Sequence, residues 1–96
     1  MSNFSLVFPA DFADYEWEVT SKGCFSEAQL SVAGKNYRVN FYDAVRLGQE
    51  IKSGLESGGV FFESNLIVVR SVTRAEMARA VEKLVQSGQV ASLVPC

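Results

Sequence analysis

The side chains whose type and spacing could do chemistry lie in YEWEV, where the carboxylates Glu16 and Glu18 stand two positions apart. On a strand such a pair projects from one face, close enough to share a proton or hold a cation. Asp11 and Asp14, in the preceding ADFAD, could extend that site from a loop. The plainer reading is a solvated outer face, because a strand with one wet side needs polar residues at alternate positions. If the four acids converge, docking of a basic partner is favoured over catalysis, since no nucleophile or base is identifiable beside them.

Other chemistry is narrowed by what the chain lacks. It contains no histidine, which removes Ser-His-Asp and Cys-His arrangements. Its two cysteines, Cys24 and Cys96, have no paired zinc-ligand spacing. Lys22 alone is weak support for a reactive thiolate at Cys24, so both are read as free thiols without a redox role. The glycine-bearing turns SGLESGG and AGKN match neither phosphate-cradling motif. No catalytic residue, metal ligand or cofactor is expected, and the chain is read as a non-enzyme. A small carboxylate enzyme is the residual alternative, and its mark would be a pocket gathering two or more of Asp11, Asp14, Glu16 and Cys24 with perturbed pKa values.

Charge points the same way. Residues 1–34 carry five acids against Lys22 alone, and residues 35–96 carry eight bases against six acids, for a net charge of −2. With no basic run, nucleic acid and anionic membrane lack their usual attraction. No stretch reaches the roughly 20 apolar residues of a membrane span, and the start has no basic region followed by an apolar run. Together with sparse cysteines this predicts a cytoplasmic protein.

The elements that must position these residues read as one α+β domain over residues 1–96. FSLVF alternates Phe4, Leu6 and Phe8 before Pro9 stops the strand. YEWEV alternates Tyr15, Trp17 and Val19 with its acids and reads as a second strand, Trp17 being a core anchor by default and an interface hot spot as the sharper reading. AQLSVAGKNYRVNF reads as a hairpin around Gly34-Lys35 in a type II′ turn, placing Val32 opposite Tyr37, Leu30 opposite Val39 and Ala28 opposite Phe41. Tyr37 and Phe41 are therefore core residues and not a base-stacking platform. Arg38, on the polar face, could pair with Glu16 or Glu18.

Asp43 is placed to cap a first helix whose apolar positions are Ala44, Leu47, Ile51 and Leu55, with Gly48 expected to let it lie close to the sheet. VFF and LIVVR flank a turn at ESN, and the apolar run Leu66 to Val69 reads as a central strand covered on both sides or paired with a second subunit. Thr73 and Glu76 form a capping box for the last helix, whose core positions are Met77, Ala80, Val81, Leu84 and Val85. QVASLVPC can add an edge strand before Pro95.

The expected order is β-β-β-β-α-β-β-α, a mainly antiparallel sheet with two helices packed on it. The leading functional expectation is a small protein-binding module using Asp11, Asp14, Glu16, Trp17 and Glu18. The alternative is a homodimer joined through the Leu66 to Val69 strand or the sheets.

Overall fold

The computed structural model describes residues 3–96. The first strand, β1 (Phe4–Val7), turns Phe4 and Leu6 toward the core and Ser5 and Val7 outward. Instead of a second strand, YEWEV lies in a helix, α1 (Phe12–Lys22). The two-residue alternation masks a helical spacing: Phe12 and Val19, seven apart, are the buried pair, while Trp17 is 67% exposed. Gly23 closes α1 in the left-handed conformation at φ 77°, with its N–H on the Val19 carbonyl. Tyr15 interrupts the helix with φ −130° and ψ 16°, which kinks it.

The hairpin is present, with its register moved by two. Strands β3 (Gln29–Val32) and β4 (Lys35–Arg38) pair Leu30 with Tyr37 and Val32 with Lys35. The loop is therefore Ala33-Gly34, and both have positive φ, 51° and 78°, as a type I′ turn requires. Because side chains alternate with period two, a slip of two leaves every residue on its expected face. Ala28, Leu30, Tyr37, Val39 and Phe41 are accordingly buried.

The ribbon continues beyond this hairpin into a second sheet. Strand β2 (Cys24–Phe25) pairs with β5 (Asn40–Tyr42), Cys24 opposite Tyr42 and Phe25 opposite Phe41. Between the two ladders, residues 26–28 lie opposite only 39–40, a one-residue bulge that bends the ribbon. The first sheet has the order β1-β3-β4 and the second β2-β5-β6, where β6 (Leu66–Val68) runs parallel to β5. The Leu66 to Val69 run is thus at an edge and not central. Ile67 and Val69 enter the core, and Val68 faces out.

VFF forms no strand, and the tail forms a 3₁₀ turn (Gln89–Ser92) where an edge strand was expected. The tail is held beyond that turn by Asn65, whose side chain donates to the Arg38 and Val94 carbonyls and accepts from the Val94 N–H. Arg38 lies opposite Gln29 and forms no ion pair with Glu16 or Glu18, whose strand does not exist.

The fold class is α+β with mainly antiparallel pairing, now with a third helix. Helix α3 (Arg74–Gln86) starts where expected, but only half of the capping box forms: the Thr73 hydroxyl accepts from the Glu76 N–H, whereas the Thr73 N–H donates to the Ser71 carbonyl and the Glu76 carboxylate turns to Arg79; Met77 and Val81 are fully buried. Helix α2 (Ala44–Gly58) is capped as expected, the Asp43 carboxylate accepting from the Arg46 N–H at 2.7 Å. It nevertheless buries none of its residues. Nothing approaches Gly48, so that glycine does not serve contact with the sheet; the close approach is at Gly54, where Val60 and Phe61 fold back on the helix. The Cα radius of gyration, 13.7 Å, exceeds the roughly 12.5 Å of a compact chain this long.

Candidate functional site

The predicted acidic residues are distributed by α1 and not gathered by it. Two positions on a helix are separated by roughly 200°, so Glu16 and Glu18 leave on opposite sides. Glu16 turns to α3, its carboxylate accepting from the Arg74 N–H at 2.8 Å. That contact satisfies one of the free donors at the α3 start and places a negative charge at the positive end of its dipole. Arg74 in turn stacks its guanidinium over Phe8, 4.7 Å from the ring centroid. The Thr20 hydroxyl reaches the Val72 carbonyl at 2.8 Å. These contacts make the inner side of α1 a structural seam, sealed beneath by Phe12 packed between Phe8 and Phe25 at 4.8 and 4.9 Å.

The flank of α1 that carries Tyr15, Glu18, Val19 and Lys22 borders a cleft of about 540 Å³, which lies between α1, β2, the bulge and β5. Glu18 from α1, Glu27 from the bulge and Glu63 from the turn before β6 line it, against the single cation Lys22. Tyr15 and Tyr42 also line it. The Tyr42 hydroxyl donates to the Glu63 carboxylate, with contacts of 2.7 and 2.9 Å. Burial first, and then this hydrogen bond, raise the Tyr42 pKa far above its usual value. Tyr15 is raised as well, by partial desolvation and by the carboxylates of Asp11 and Glu27. Both tyrosines are therefore neutral donors at neutral pH.

Of the five residues expected to form a docking surface, only Glu18 enters the cleft. Asp11 stands beside Tyr15, Asp14 is exposed in the first turn of α1, and Trp17 is exposed rather than a core anchor. Glu27, Tyr42 and Glu63 were not read as site residues. Their one sequence signal is that Glu27 and Glu63 sit in short breaks, SEA and ESN, between apolar runs, where a bulge or turn can aim a side chain into an opening.

The cleft offers acceptors, aromatic surface and a thiol, Cys24, that is unbonded and half-buried; Cys96 is unbonded and exposed. Among the described residues, no three His, Cys, Asp or Glu side chains come together as metal ligands. No described helix is long and apolar enough to cross a membrane. Comparison of the chain with protein-family models, with curated proteins and with solved structures gives no match.

Proposed function

We propose that the chain is a small cytoplasmic protein-binding module whose cleft takes a basic side chain of its partner. The observation that carries this reading is the cleft lining: three carboxylates against one lysine, with two tyrosines. A guanidinium or ammonium group is the ligand such a lining recognises, through charge-assisted hydrogen bonds and contact with aromatic faces. The volume lies within the range of sites that enclose a side chain or small ligand. Trp17, exposed on the same helix, is of the residue type that anchors interfaces. Of Asp11, Asp14, Glu16 and Cys24, whose convergence would favour catalysis, the cleft takes only Cys24.

The test is a titration with a short blocked peptide carrying two arginines, beside the same peptide with citrulline, followed by Trp17 fluorescence and amide shifts. Saturable binding of the arginine peptide alone is expected, weakened about tenfold by Glu18→Gln with Glu27→Gln. It should also weaken as salt rises. Equal binding of both peptides, or affinity indifferent to the two substitutions, would refute the cleft as the recognition site.

A further inference from the structure

We propose that two copies of this chain associate through α2, the Val45, Gly48, Ile51 and Leu55 side of one helix crossing the same side of its twofold mate. This surface is separate from the acidic cleft. Its first support is that α2 is amphipathic yet buries nothing: Val45 is 73% and Leu55 52% exposed. A helix of this kind ordinarily gains its stability by burying such a face. The segment after α2, which packs against Gly54, also leaves Val60 and Phe62 exposed.

The second support is area. The accessible surface is 6163 Å², whereas a folded chain of this mass exposes about 5,400 Å². The excess of about 760 Å² is close to the share each partner contributes to a standard interface, about 800 Å². The molecule therefore carries about one interface worth of surface more than a compact monomer.

Charge and shape select a second copy as the occupant. A twofold interface sets a surface against itself, so a patch of one sign would repel its mate. The charges of α2 are balanced, Arg46 and Lys52 against Glu50 and Glu56, and Arg46 is already paired with Glu50 at 2.8 Å. Steering toward an acidic or basic partner would call for an excess of one sign. Gly48, with no atom within 4 Å of where a Cβ would stand, gives a crossing helix room to approach closely.

Sedimentation equilibrium across a range reaching about 100 µM chain, where even a weak interface is occupied, tests this. The wild type is expected to be a dimer at the upper end. Ile51→Glu and Leu55→Glu should each weaken association at least about tenfold, with unchanged circular dichroism, because both positions face solvent in the single copy. Val68→Glu, on the β6 edge, is expected to leave the dimer intact. A wild-type monomer throughout would overturn the proposal. So would a dimer indifferent to both α2 substitutions, or one lost only in Val68→Glu.

Discussion

At the scale of single residues, Tyr42 and Glu63 show how the cleft is tied to stability. In the unfolded chain a tyrosine loses its proton near pH 10. In the fold, burial and the Glu63 carboxylate keep the proton on Tyr42 to well above that. Above pH 10 the unfolded state thus binds fewer protons than the folded one, so stability is full below that pH and falls as pH rises. The decline attributable to Tyr42 reaches up to about 1.4 kcal/mol per pH unit. Urea unfolding from pH 8 to 11.5 should show a shallower decline for Tyr42→Phe, leaving the share of Tyr15, whose pKa is raised in the same direction. Parallel profiles for the two proteins would contradict this assignment. Neither partner could be chosen from the sequence, because Tyr42 and Glu63 are 21 residues apart and meet only through the parallel placement of β6 on β5.

At the scale of elements, Gly23 joins two helices. It ends α1, its carbonyl accepts from the Asp43 N–H at 2.9 Å, and Asp43 begins α2. A Cβ at Gly23 would stand 2.6 Å from the Asp43 carboxylate, while one at Gly34, at nearly the same φ, would meet nothing. Alanine in the left-handed conformation costs about 1–2 kcal/mol at either position. Gly23→Ala should be the more destabilising by a further ~1 kcal/mol, since displacing Asp43 weakens a helix cap. Equal melting temperatures for the two variants would show that the junction yields freely.

The same scale shows what the sequence could and could not disclose. Local punctuation was legible: the Asp43 and Thr73 caps, the Pro9 stop and the faces of the ribbon all stand as read. The register was off by two because Ala33 accepts a positive φ that its side chain disfavours, while Gly34-Lys35 suited the commoner turn chemistry. Helix α1 was missed because Tyr15, Trp17 and Val19 alternate as a strand does. The competing signal, Phe12 and Val19 seven apart with Gly23 beyond Lys22, depends on knowing that Trp17 is left outside. With the strand gone, the supposed pairing of Glu16 and Glu18 had no geometry to support it.

At the scale of the molecule, stability is unevenly spread. The core joins both sheets, α1 and α3 through Phe12, Leu30, Val39, Phe41, Met77 and Val81, all fully buried. Helix α2 contributes no buried residue. Hydrogen exchange in dilute solution should find α2 amides opening at free energies well below the global value, by at least about 2 kcal/mol. Amides of β3 and β5 should exchange only through global unfolding. Protection of α2 equal to that of the strands would mean that the helix is anchored by contacts other than burial.

The bent ribbon has one more consequence, for the company the protein keeps when concentrated. Its first arm is an edge in the second sheet as β2 and a centre in the first as β3; its second arm is an edge as β4 and a centre as β5. Each arm exchanges roles at the corner, so neither offers an unpaired border along its whole length. The longest free border of any strand is four residues, and that of β4 is met by the tail, where the Cys96 N–H reaches the Asn36 carbonyl at 2.8 Å. Long flat borders are what template fibrous aggregation. By folding its one long hairpin around a corner, the chain withholds that template.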